Sequence, residues 1–202
     1  MEILLATGNR GKVIELQEML AGYNIKVLSL NDFPDFPEVE ENGQTFVDNA
    51  LLKARLAADK TGLLSLADDS GLEVDALNGA PGVYSARFAG EPKNDSKNID
   101  KLLLEMEGVP EEKRTARFRC SLAVVCPGGK EHTTDGVVEG SILYSRKGEG
   151  GFGYDPVFFL KKMGKTMAEL SLEEKNSLSH RAQAFKKAVP LIKSYLNNRK
   201  MA

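Results

Sequence analysis

Residues 3–12, Ile3-Leu4-Leu5-Ala6-Thr7-Gly8-Asn9-Arg10-Gly11-Lys12, decide the fold class of this chain. A short apolar run empties into a glycine-bearing turn, and Val13, Leu16 and Leu20 then recur at helical spacing, with Gly22 just past the end. This reads as strand, turn and helix. The turn also has the parts of an anion site. Asn9 is placed to cap the helix, two glycines let the backbone approach closely, the helix N-terminus favours negative charge, and Lys12 adds a point charge. A Walker A loop does not fit, because two residues separate Gly8 from Gly11 and Val13 stands where the metal-binding hydroxyl belongs. A plain structural connection uses the same parts, so the loop by itself leaves both readings open.

Outward from that unit, a second short strand is expected at Ile25 to Leu28. Residues 31–43 break the pattern with Pro34, Pro37 and the acids Glu38, Glu40 and Glu41, and read as a loop. Thr45-x-x-Asp48 has capping-box form and opens a helix with Phe46, Ala50, Leu51, Ala54 and Ala57 as its stripe, closed by Gly62. Asn49 and Lys53 sit one turn apart on another face of it. A strand at Leu63 to Leu66 runs into Asp68-Asp69-Ser70-Gly71-Leu72, placing the two acids just past the strand end. Ile99, Leu102, Leu103 and Met106 mark a further amphipathic helix, and Thr115–Val125 with Glu131–Val138 flank Pro127-Gly128-Gly129 as a hairpin. A glycine-rich segment, Gly148 to Gly153, leads into Tyr154-Asp155-Pro156 and a last strand, Val157 to Leu160. A helix from Ser179 carries Ala182, Phe185, Val189, Ile192 and Leu196, and Pro190 is expected to kink or split it. Helices alternating with strands around one hairpin predict an α/β protein with a mixed sheet.

Composition narrows the function. The 202 residues suffice for one substantial core or a two-lobed single domain spanning 1–202. A net charge of -2 argues against a nucleic-acid coat or a membrane-surface protein, so no nucleic-acid or membrane partner is expected. Cys120 and Cys126 lie in or beside one apolar run, too far apart to bridge each other, which predicts a reducing compartment. With two histidines, neither near a second His or Cys, zinc has little support. The start lacks a long apolar leader and no apolar run is long enough to span a membrane, which predicts a cytoplasmic protein.

Chemistry concentrates in a few short stretches. Consecutive acids point to different sides, so one of Asp68 and Asp69 can be held by backbone or solvent while the other faces a ligand. Glu40 or Glu41 would add hard oxygen donors suited to magnesium. Phe152 and Tyr154, framed by glycines, offer a flat aromatic face for a base, or else two core aromatics beside a turn. Arg181 opens a helix against the dipole preference for acids there, which points to a functional anion or carbonyl nearby.

Taken together, Thr7–Lys12, Glu40-Glu41-Asn42-Gly43-Gln44-Thr45-Phe46, Ala67-Asp68-Asp69-Ser70-Gly71-Leu72, Gly79-Ala80-Pro81-Gly82 with Tyr84-Ser85-Ala86-Arg87, Gly150-Gly151-Phe152-Gly153-Tyr154-Asp155-Pro156 and Ser179-His180-Arg181 stand in a specific order. In this the chain resembles the inosine triphosphate pyrophosphatase (Ham1-like) family of non-canonical purine nucleoside triphosphate pyrophosphohydrolases, over nearly its whole length. The resemblance implies a long mixed sheet with two α/β lobes and a substrate cleft between them, a homodimer, and Mg²⁺-dependent hydrolysis of ITP, dITP and XTP to monophosphate and pyrophosphate. It implies that Thr7, Gly8, Asn9, Arg10, Gly11, Lys12 and Lys53 hold the triphosphate, that Glu40 and Asp69 serve the metal, and that Asp69 is the base for the attacking water. Ser70, Phe152, Gly153, Tyr154, Asp155, Lys175, His180 and Arg181 are implied to line the nucleoside and phosphate pocket. A nucleotidyl or phosphoryl transferase, and a binding module without turnover, are the rival classes; the product formed from one nucleotide and water separates them.

Overall fold

The computed structural model describes residues 2–23, 25–37 and 39–198, with side chains of the last helix described through Tyr195. In chain order the elements are β1 (Glu2–Leu5), α1 (Arg10–Leu20), β2 (Lys26–Ser29), α2 (Phe46–Thr61), β3 (Leu64–Val74), α3 (Asp95–Glu105), β4 (Thr115–Val125), β5 (Glu131–Ile142), β6 (Phe158–Leu160), β7 (Lys165–Thr166), α4 (Leu172–Leu178) and α5 (His180–Asn198). The strands join in the order β2-β1-β3-β4-β5-β6-β7. β1 pairs parallel with β2 and β3, whereas β5-β6-β7 pair antiparallel, so the sheet is mixed.

Two compact units emerge. The first comprises residues 1–69, 120–136 and 181–202, and the second 70–119 and 137–180. In the first unit the alternation of β-strand side chains sorts the core into two layers. Ile3, Leu5, Leu64, Leu66, Cys120, Leu122 and Val124 pack with Leu16 and Leu20 of α1 and with Phe185, Ala188 and Ile192 of α5. Their neighbours Leu4, Ala6, Ala67, Ala123 and Val125 pack instead with Ala50, Ala54, Ala57 and Ala58 of α2. Strands covered on both faces need continuous apolar runs, which is why Ile3 to Ala6 shows no alternation. In the second unit Ile99, Leu102 and Met106 of α3 pack with Leu72, Val74, Phe118, Val138, Ile142 and Phe158.

Several expectations need correction. The third strand does not stop before the acids but runs through them to Val74. Each acid has a lysine partner there, and Leu72 and Val74 beyond them are fully buried, so the extended backbone continues. The hairpin's second strand extends four residues further, to Ile142. β7 follows the strand expected to be last, and α4 precedes the final helix, with Ser179 as its C-cap. Helix α5 runs unsplit through Pro190, held on both sides of the proline by buried Phe185, Ala188 and Ile192. The Leu196 side chain expected in its stripe, and Glu38 of the acidic loop, lie outside what is described. Cys120 and Cys126 are buried free thiols. Among the described residues no helix is long and apolar enough to cross a membrane.

Candidate active site

In the first unit, the turn after β1 closes on itself. The Asn9 side chain accepts from the N–H groups of Gly11 (2.9 Å) and Lys12 (3.3 Å), and the Asn9 N–H donates to Thr7 Oγ1 (3.2 Å). The cap therefore forms as expected, but these three N–H groups are satisfied within the loop. What the loop projects is the Lys12 ammonium, 2.8 Å from Asp68 Oδ2. Gly8 is not demanded by space: an added Cβ would find only ordinary contact with Asn31.

Asp68 and Asp69, adjacent on β3, are both buried and take different partners. Asp68 faces Lys12 and the Nε of Arg181 at 3.3 Å, while Arg181 Nη1 donates to Glu15 of α1 at 2.7 Å. The cation at the start of α5 thus meets two carboxylates of its own unit. Asp69 accepts from Asn49 Nδ2 through Oδ2 (3.2 Å) and from Lys53 Nζ through Oδ1 (3.2 Å). Lys53 Nζ also donates to Glu41 Oε1 at 2.7 Å. The one-turn spacing of Asn49 and Lys53 on α2 is what lets both reach one carboxylate.

The acidic loop is fastened to α2 by Gly43, whose N–H donates to Asn49 Oδ1 at 2.8 Å. A Cβ there would stand 2.6 Å from that oxygen and 2.7 Å from Asp48 Cβ, so only glycine lets the loop lie this close. Glu41 is thereby brought to Lys53, whereas Glu40 is exposed.

The electrostatic consequences diverge within one dipeptide. Burial pushes both carboxyls up, but Lys12, Arg181 and Lys53 hold Asp68 well below the usual carboxylate range. Asp69 ends above the ordinary aspartate value, because burial, with Glu41 adding to it, outweighs Lys53, Lys12 and Asn49. Lys53, pulled down by burial, is held above the ordinary lysine value by Asp69 and Glu41. Paired carboxyls pushed apart in this way take different roles: Asp68 is a permanent anion, and Asp69 is suited to accept a proton.

In the second unit, Lys175 of α4 and Asp155 form a buried ion pair at 2.8 Å, and Lys175 Nζ lies 4.8 Å from the centre of the Phe152 ring. The Phe152 N–H donates to the same Asp155 carboxylate at 3.0 Å. Gly151 has φ +76°, and a Cβ there would collide with that carboxylate. Gly153 N–H donates to Asp95 Oδ2 of α3 at 2.7 Å, a contact no motif announced. Phe152 is half-buried, whereas Tyr154 is buried and its hydroxyl donates to the Ser85 carbonyl at 2.8 Å, so it belongs to the core. His180 is buried and stacks on Phe118, with centroids 4.9 Å apart. Ser70 opens the second unit's part of β3.

The structure thus gathers Thr7, Asn9, Lys12, Lys53, Asp69 and Arg181 in the first unit, and Phe152, Gly153, Tyr154, Asp155, Lys175 and His180 in the second. Sequence reasoning gave no role to Glu15, Asn49 or Asp95; only the Asn49–Lys53 spacing carried a signal for any of them. For a metal, the donors that converge are hard carboxylate oxygens, Glu41 and Asp69 sharing one ammonium. Among the described residues no group of three or more His, Cys, Asp and Glu side chains converges.

Comparison with known proteins follows the same lines. The chain is 59% identical over 192 residues to the dITP/XTP pyrophosphatase of Desulforamulus reducens, covering 95% of this chain and 96% of that protein. It is 56% identical to the dITP/XTP pyrophosphatase of Geobacter sulfurreducens, covering 96% of each. Among solved structures, a HAM1 protein from Coxiella burnetii superposes with a TM-score of 0.86 at 42% identity, over 96% of this chain and 99% of that one. The model of the Ham1 family matches residues 3–191, a span that takes in every motif described above, and the chain belongs to that family.

Proposed function

We propose that this chain hydrolyses non-canonical purine nucleoside triphosphates (ITP, dITP and XTP) to the monophosphate and pyrophosphate, clearing deaminated purines from the nucleotide pool as a Mg²⁺-dependent cytoplasmic homodimer. The relatives' names support the reaction class. The observation that carries the mechanism is the divergence of Asp68 and Asp69, which leaves one buried carboxylate with raised proton affinity beside two lysines.

Asp69 takes the proton of the attacking water, its Oδ2 oriented by Asn49. Lys12 and Lys53 offset the charge of the triphosphate, with Thr7, Gly8, Asn9, Arg10 and Gly11 shaping the turn that presents Lys12. Asp69 and the loop acids Glu40 and Glu41 would hold Mg²⁺, which when bound supplies Lewis-acid polarisation of phosphoryl oxygen. Phe152 stacks on the purine, and Asp155 fixes Lys175 and the Phe152 backbone for nucleoside binding, with Ser70 and Gly153, while Tyr154 supports this segment from the core. His180 and Arg181 offer donors to a 6-oxo group, where adenine presents a donor of its own, so ATP is rejected by an unpaired contact.

Purified protein with Mg²⁺ and a panel of ITP, dITP, XTP, GTP and ATP tests this reading. Monophosphate and pyrophosphate from the first three, well ahead of ATP, is the expected result. Release of orthophosphate, or binding without turnover, overturns it.

A further inference from the structure

Lys53 sits where a lone ammonium bridges two carboxylates from different elements. Its Nζ lies 2.7 Å from Glu41 Oε1 of the acidic loop and 3.2 Å from Asp69 Oδ1 of β3. The lysine and Asp69 side chains are each 11% exposed and Glu41 25%, so the bridge is recessed but within reach of a small ion. The second oxygen of Asp69 is committed to Asn49, which leaves Oδ1 as the oxygen that can change partner. The loop carrying Glu41 is pinned by Gly43 to Asn49, so Glu41 and Asp69 are held for a shared cation.

We propose that Lys53 is an internal counter-cation. In the metal-free protein its ammonium occupies the position between Glu41 and Asp69, and it yields Asp69 when a divalent cation arrives. Glu41 is then shared between the cation and the displaced ammonium. Two converging carboxylates, one of them buried, would repel each other without a cation, so the lysine keeps the site folded until the metal replaces it. Divalent cations therefore bind free protein less tightly than the donor set alone would allow, because one ion pair must be broken first. The inference rests on the reading of Asp69 and the acidic loop as the metal side of the site.

The test uses the full-length protein and Mn²⁺ alone, without nucleotide, read by the electron paramagnetic resonance signal of free Mn²⁺ and by the thermal midpoint. Lys53→Met is expected to bind Mn²⁺ on the order of tenfold more tightly than the unaltered chain, the size of one modest ion pair that no longer has to be broken. It should melt lower without metal and gain more from Mn²⁺. Lys12→Met removes the same charge from the same cluster but frees Asp68 rather than Asp69, and its Mn²⁺ affinity should stay within about threefold. Equal tightening in both variants would mean general charge relief and overturn the proposal, as would unchanged or weaker Mn²⁺ binding in Lys53→Met. If Lys53→Met does not fold, Lys53→Gln replaces it with the same expectations, since an amide can still bridge two carboxylates. Turnover of dITP by the unaltered enzyme is scored separately, so the reaction assignment stands or falls independently of the Mn²⁺ result.

Discussion

The paired-acid cluster of the first unit and Arg114 of the second bury cations in opposite ways. In the first, Lys12, Lys53 and Arg181 are each held by carboxylates: Asp68, Asp69, Glu41 and Glu15. In the second, the fully buried guanidinium of Arg114 meets no carboxylate in its hydrogen bonds but donates to the carbonyls of Met106, Val109, Ile142 and Leu143, with Tyr144 stacked over it at 4.3 Å. Carbonyls belong to the backbone and cannot leave, so Arg114 ties the end of α3 to the end of β5 as a fixed staple. Ion pairs between side chains can trade partners when a charged ligand arrives. Buried charge around Asp68 and Asp69 is thus arranged for exchange, and Arg114 for cohesion.

Asp69→Asn should break that comparison most sharply. The amide keeps size but loses charge and basicity, so kcat for dITP falls by about 10² to 10⁴, as general-base loss commonly does, while the thermal midpoint moves by a few degrees at most. Near-normal kcat would remove Asp69 as the base. Arg114→Met should show the reverse. Four carbonyls lose their donor in a buried setting, for an expected loss of about 3–5 kcal/mol in unfolding free energy by denaturant titration. Its kcat per folded molecule should be unchanged. A stable variant would show that Arg114 is no staple.

Lys12→Ala is expected to raise KM for the triphosphate by about 10- to 100-fold, the range of one charge-assisted contact, and more at low salt than at high. An unchanged KM at every salt concentration would return the Thr7–Lys12 turn to a structural connection. The smallest effect is one of pH. Asp69 must be ionised to act as base and its folded pKa is raised by burial, so the acidic limb of kcat/KM should lie above the ordinary aspartate range. For stability the sign is the same group's converse: protonated Asp69 favours the fold at low pH, and that contribution is lost as pH rises through its raised pKa. Asp68, depressed by its cations, contributes in the opposite sense: its contribution is present above the ordinary aspartate value and is lost progressively as pH falls below it. A kcat/KM limb at the ordinary aspartate value would contradict this assignment.

Much of this was legible in the residues. Ile3 to Ala6, the Asn9 cap, the Thr45–Asp48 box and Gly62 each act locally, through the hydrogen bonds and dihedrals of a few neighbouring residues, and each is found where expected. Strand ends were less legible. The run Ala67-Asp68-Asp69-Ser70 looks like a terminus because its polarity is visible in sequence, while the lysines that neutralise it come from residues 12 and 53. Tyr154 was open for the same reason: its glycine neighbours allow a base-facing ring or a core aromatic, and only burial and the Ser85 carbonyl place it in the core.

By itself, then, the sequence determined the fold class, the caps, the order of the motifs and the presence of a paired-acid site, because these depend on periodicity and on contacts a few residues apart. The tertiary structure alone decided which acid is the permanent anion and which has raised proton affinity, that Glu41 rather than Glu40 meets Lys53, and that Arg181 is shared by Glu15 and Asp68. Proton affinity and ion pairing are set by desolvation and by charges brought within a few ångströms from distant parts of the chain, and no local pattern encodes those distances.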